Sequence, residues 1–242
     1  MYPVLQVGDV WRQAAERLRK LTEAEVLPLL AEYQLLPLLV KEMIIDEAIA
    51  QIECTNEEVK LACEQLAQQY KQQAQSMNAK QMESLAVRQF KLEKFKQTTW
   101  GGDLESYFIQ RKPQLNRVVY SLISTKDIGI AQELYFRIQE GEQSFAQLAR
   151  EYAHGPEAET DGLVGPVELQ GIHPALAKLL SMAQPQQLLP PTQLGDWIVI
   201  VRLEKLLPAK LDRFLSQRLL NERFNAWLQT QLAAENWQIN QL

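Results

Sequence analysis

Two cysteines, two histidines and no surplus of positive charge set the first limits on this chain of 242 residues. Cys54 and Cys63 are nine positions apart, which matches neither a Cys-x-x-Cys redox pair nor a zinc-ligand spacing. Cys63 sits among apolar residues at helical intervals and reads as a small core side chain, with a local disulfide to Cys54 as the alternative. His154 and His173 are too few to furnish a metal centre, and no metal or cofactor is expected. Lys and Arg number 25 against 30 Asp and Glu, a net charge of −5, so the basic footprint of a nucleic-acid binder is missing. No apolar run approaches the roughly 18–20 residues of a membrane span. The longest, at 35–40, is interrupted by Pro37. The N-terminal stretch lacks the unbroken apolar core of a signal peptide and is charged from Asp9 onward. As written the chain is expected in the cytoplasm, and in the periplasm or a secretion route if a leader is missing. Gly101-Gly102 and the Gly162/Gly165 pair precede no Lys-Ser/Thr, so they read as turn glycines rather than phosphate loops.

What remains is ordinary globular material, 46% hydrophobic and 23% charged. A chain of this size buries about 70–75% of its unfolded surface and needs no disulfide or metal to fold. Residues 1–112 predict helix almost throughout. Thr22 with Glu25, Thr55 with Glu58 and Asn78 with Gln81 each have capping-box spacing. Pro37 suits the first turn of a helix, whereas Pro28 should kink its helix or delay the start. Val59, Ala62, Cys63, Leu66 and Tyr70 share one helical face. The charged stretch Arg88, Lys91, Glu93, Lys94 and Lys96 reads as a solvated face, and Trp100-Gly101-Gly102 as a break. A short helix opened by Asp103 then runs to about Lys112.

Composition changes near Pro113. Residues 115–124 are rich in β-branched side chains and predict a strand, as do 197–203. Between them lie a helix over 128–139 stopped by Gly141, a second opened by Ser144 and Gln147, a turn-rich loop and a short helix over 174–182. This β-α-α-loop-α-β order is that of a small α+β domain. Beyond it, Leu211, Phe214, Leu215, Leu219, Phe224, Trp227, Leu228 and Leu232 form one apolar helical face that needs a partner. Docking on the N-terminal helices would make the middle segment an insertion.

The middle segment resembles a parvulin-type peptidyl-prolyl cis/trans isomerase domain. The resemblance is carried by AQEL at 131–134, SFAQLAREY at 144–152, DGLVG at 161–165, PAL at 174–176 and LGDWIV at 194–199. The flanks, with Phe-x-x-Trp-Leu at 224–228, resemble the helical chaperone domain of SurA- and PrsA-like bacterial foldases. The resemblance implies an α+β fold in which a helical SurA-like domain, 1–113 plus 208–242, is formed by both termini around a parvulin-like domain at 114–207. It also places the family's catalytic positions. The first-strand His falls at Ser121, within one residue, the last-strand His at Trp197, and the loop Cys or Asp at Gly155, again within one residue. The Phe floor of the proline pocket falls at Leu176 and its Met neighbour at Ile172. The expected peptide pocket is therefore Ile172, Leu176 and Trp197, and the catalytic signature is eroded. The link after the first strand, Thr125-Lys126-Asp127, is too short for a basic loop that reads phosphoserine.

Prolyl isomerisation crosses a barrier of about 18–20 kcal/mol without breaking a bond. A site for it must hold a twisted amide in an apolar slot. Two expectations follow: a foldase that still turns over prolyl bonds weakly, or a non-catalytic chaperone or secretion adaptor that uses the parvulin domain only for binding. Either would engage unfolded or proline-containing polypeptides, without nucleic acid and without an integral membrane segment. The exposed helical apolar surface would also serve a homodimer, formed by exchange of a helix.

Overall fold

The computed structural model describes residues 7–69 and 78–234. In chain order, α1 (Val7–Lys20), α2 (Glu23–Glu32), α3 (Leu36–Ile49), α4 (Asn56–Gln69) and α5 (Ala79–Trp100) come first. Next are α6 (Leu104–Leu115), β1 (Arg117–Thr125), α7 (Ile128–Gln139), α8 (Phe145–Tyr152) and β2 (Leu163–Glu168), with a 3-10 turn at Pro156–Thr160. α9 (Pro174–Met182), β3 (Leu188–Leu194), β4 (Trp197–Leu207) and α10 (Arg213–Ala234) complete the order. The fold is α+β. Contacts divide it into two units, Met1–Gly102 with Leu220–Leu242, and Asp103–Leu219.

In the helical unit the capping boxes form as their spacing requires. The Thr55 amide donates to the Glu58 carboxylate at 2.9 Å, and the Glu58 amide to the Thr55 hydroxyl at 3.2 Å. Asn78 and Gln81 exchange the same pair at 2.8 and 3.2 Å. At Thr22 the Glu25 carboxylate accepts from both amide and hydroxyl. That cap fixes the start of α2 at Glu23, so Pro28 lies within the helix instead of delaying it. Ala62, Leu66 and Ala86 form a small core between α4 and α5, with half-buried Cys63 packed against it as a free thiol. Tyr70, expected on the same face, lies outside the described residues.

The second part of α10 brings its aromatic face to the end of α5. Trp100 stands 5.6 Å from Phe95, 6.3 Å from Phe224 and 6.2 Å from Trp227 between ring centroids. Lys96 departs from expectation. Its ammonium is buried, hydrogen-bonded at 2.7 Å to both Asn221 and Glu93, and 5.0 Å from the centroid of Phe224. A long apolar stem, two polar acceptors and an aromatic face together satisfy a cation that sequence pattern alone assigns to solvent.

The second unit is built on a four-stranded antiparallel sheet of order β2-β1-β4-β3. Side chains alternate across it. Val118, Tyr120, Val199, Val201 and Leu203 meet Leu176 and Leu180 of α9 on one face. Ile123 and Ile200 meet Ala131, Leu134, Phe145 and Leu148 of α7 and α8 on the other. The sequence pattern finds the two central strands and misses the two edges. Each edge is broken by a bulge: β2 shifts register around Gly165-Pro166 against β1, and β3 around Pro190-Pro191 against β4. Proline lacks the donor an interior strand requires, so these runs imitate loops while serving as blunted edges. Gly165 is therefore a bulge residue rather than a turn glycine.

α6 continues through Pro113 to Leu115, and β1 starts at Arg117, two residues later than the pattern suggests. Both α6 and the first turns of α10 are counted with the sheet unit, so the contact division lies outside the expected 113/114 and 207/208 limits. Asn116 explains part of this: its carbonyl accepts from the Leu169 amide and its Oδ1 from the Ala209 amide, both at 2.9 Å. Arg218 adds a bidentate pair to Glu168 with both contacts at 2.6 Å. The Arg218 hydrogen bonds hold the Glu168 carboxyl below the usual carboxylate range. A depressed native value stabilises the fold above the unfolded value of about 4.3 and loses that contribution as pH falls through the native one. Glu168→Gln should lower stability at neutral pH by on the order of 1 kcal/mol, a half-exposed pair being screened. Thermal melts from pH 7 to 3 should show that deficit closing at the acid end.

Candidate functional site

The α9 face of the sheet carries the site. α9 begins at Pro174, whose missing amide costs nothing there, and His173 caps it by accepting from the Ala175 amide at 3.3 Å. His173 thus has a structural role. The helix sets Leu176, 5% exposed, into the cluster with Tyr120 and Val199, and half-buried Ile172 packs against the same cluster from the preceding turn. Trp197 opens β4 in phase with Val199 and Val201, which places it on this face too. At 37% exposed it forms a rim rather than a floor. His154 lies on one side, with ring centroids 6.2 Å apart, and the Lys126 ammonium stands 5.0 Å from the indole centroid.

Ser121 belongs to the other face. It is in phase with Ile123, and its hydroxyl donates to Glu204, which also accepts from Arg202 at 2.8 Å and Gln186 at 3.0 Å. Burial pushes the Glu204 carboxyl up, but the hydrogen bonds from Ser121, Arg202 and Gln186 together with the Arg202 charge outweigh it and hold the group below its usual range. Arg202 in turn lies 5.2 Å from the Phe145 centroid. This is a satisfied network under α7 and α8, remote in direction from Leu176 and Trp197. A one-residue ambiguity in reading a strand exchanges its faces. Tyr120, not Ser121, is the strand residue facing α9.

Gly155 lies in the loop after α8, where it opens the 3-10 turn in an extended conformation. The space beside it is filled. A Cβ on Gly155 would collide with the carboxylate of Glu157. Glu157 is 6% exposed, and its carboxylate accepts the hydroxyl of Ser124, itself 8% exposed and in phase with Tyr120 and Leu122. The neighbouring His154 amide donates to the Ser124 carbonyl at 3.0 Å, which ties the loop to the end of β1. Burial first, then the Glu157 charge, pushes the Tyr120 phenol above its ordinary value. Sequence reading passes over Tyr120, Ser124 and Glu157. Tyr120 and Ser124 look like strand filler, and Glu157 looks like one more acid in a polar loop. The one available signal was a glycine where a side chain was expected.

Residues 124–205 match the family model described as Rotamase, a PPIC-type PPIase domain. The chain carries a parvulin domain. No curated protein matches the sequence. Among solved structures, the peptidylprolyl isomerase PrsA of Bacillus cereus is 17% identical, covering 90% of this chain and 88% of its own, with a TM-score of 0.51. That likeness shows a shared fold over both units. The parvulin domain of PpiD from E. coli is 28% identical over 41% of this chain and 97% of its own, TM-score 0.36. A SurA-like chaperone of Campylobacter jejuni is 16% identical over 96% and 94%, TM-score 0.37. The helices flanking the parvulin domain therefore have a counterpart of the same fold in the Bacillus protein. Among the described residues no helix is long and apolar enough to cross a membrane.

Proposed function

We propose that this protein is a folding factor of the SurA/PrsA type. Its helical unit holds unfolded polypeptide, and its parvulin domain engages X–Pro segments at Ile172, Leu176 and Trp197. One observation supports the reading: within the matched domain Leu176 and Ile172 pack on the sheet face that carries Val199, and the half-exposed Trp197 is in phase with Val199 at the start of the same strand. Such a slot desolvates a prolyl ring and favours a twisted amide over a planar, hydrated one. We read the helical segments and the 114–207 segment as separate functional domains.

The test is a peptidyl-prolyl isomerisation assay on a series of proline tetrapeptides with the full chain and Trp197→Ala. The expected result is turnover above the uncatalysed rate, reduced about tenfold in the variant, or roughly 1.4 kcal/mol of transition-state stabilisation. Background rates for both proteins would leave the second reading, a chaperone or adaptor without catalysis. A specific feature favours that one. Leu35, Leu38, Leu39 and Met43 are all exposed along α3 and the turn before it, at helical spacing. Such a stripe suits apolar client segments or a second copy of the chain. Suppression of client aggregation at a mass that does not change with concentration would assign the stripe to clients. A concentration-dependent dimer would assign it to self-association.

A further inference from the structure

We infer that Lys126 makes the Trp197 rim select proline segments with an acidic residue beside the proline. The inference deepens the isomerase reading of the α9 face and rests on it. Backbone pairing brings the two side chains together. Thr125, the last residue of β1, pairs with Ile198, so the register carries Lys126 across from Trp197. Lys126 also follows Tyr120, Leu122 and Ser124 at two-residue steps, the phase of the α9 face. Its ammonium accordingly stands 5.0 Å from the indole centroid. The exposed His154 ring lies 6.2 Å from the same indole, and the hydrogen bond from its amide to the Ser124 carbonyl anchors it there.

Among the described residues the Lys126 ammonium forms no ion pair. Asp127, next in the chain, uses one carboxylate oxygen to accept from the Gly129 and Ile130 amides at the start of α7. The Glu157 carboxyl is 6% exposed and bonded to Ser124 inside the loop. An indole face attracts a cation without neutralising it, so positive potential remains at the rim. A carboxylate on a residue flanking proline meets that ammonium as the ring enters beside Trp197. A flanking cation is repelled and competes for the same indole face. One ammonium acts as a point charge and matches a single carboxylate. The pair stays at an exposed rim, so its effect is modest and salt screens it.

The test uses the full chain and short peptides that carry Glu, Ala or Lys on either side of one proline. NMR exchange between the cis and trans forms reads the rate and needs no cleavage step. Catalysed rates at subsaturating peptide should rank Glu above Ala above Lys, with about a threefold to fivefold step from Ala to Glu. High salt should compress that ranking. Lys126→Met keeps an apolar stem against the indole and removes the charge, so Glu and Ala peptides should become equal. Lys126→Glu should invert the order. Each readout is a ratio between peptides within one protein, so a change in overall activity or stability cancels. Turnover with no charge ranking, or a ranking that survives in Lys126→Met, overturns the inference and leaves the isomerase reading intact. Absence of turnover on every peptide in the unaltered chain overturns both.

Discussion

Gly165→Ala is expected to destabilise the parvulin domain by about 3 kcal/mol or more, at the upper end of backbone strain effects. Gly165 holds φ at +108°, and a Cβ there would stand 2.5 Å from the Val118 carbonyl oxygen. Backbone cannot swing aside as a side-chain tip can. Relief would require separating β2 from β1 where two residues of β2 already oppose one of β1 between Val118 and Tyr120. Because Tyr120 faces the α9 pocket, the lesion should reach the site as well as the melt. Urea unfolding measures the loss, and hydrogen exchange at the β1 and β2 amides locates it. Gly171→Ala is the control: nothing lies within 4 Å of its added carbon, so it should change stability by no more than about 0.5 kcal/mol. Equal stability for both variants would remove strain from the account of this bulge.

The second large effect belongs to the helical unit. Trp100 is 8% exposed and contacts Phe95, Phe224 and Trp227. Trp100→Ala should cost about 3–5 kcal/mol, the usual range for an aromatic-to-alanine change in a core. Trp100→Phe should recover most of it. Truncation also removes packing beside the Phe224 ring that supports the buried Lys96 ammonium, so the expected loss includes a weakened cation site. Two units need not unfold together, so the readout should be local. Exchange at α10 amides from residue 220 onward should accelerate in Trp100→Ala. Unchanged protection there would show that α10 does not depend on this cluster.

Helix starts were legible because a capping box is local: four consecutive residues contain both partners, and Thr55, Asn78 and Ser144 each meet theirs. β1 and β4 were legible because a central strand buried on both faces must be apolar and β-branched. β2 and β3 were not, since an edge strand tolerates the same prolines and glycines that make a loop. Lys96 was misplaced because its acceptor Asn221 lies 125 positions away.

The site divides in the same way. Ile172, Leu176 and Trp197 come from the family resemblance, and their part in a pocket is a proposal. The face of Ser121 was not legible, since one residue decides between faces and the motif there is degenerate. Glu157 was invisible for a different reason. Its meaning depends on the empty volume at Gly155 and on Ser124, a residue 33 positions earlier. By itself the sequence determined the elements with local signals and the α+β class. The tertiary structure alone decided which face each strand residue serves and where a buried charge is held, because both depend on contacts between residues that chain order keeps apart.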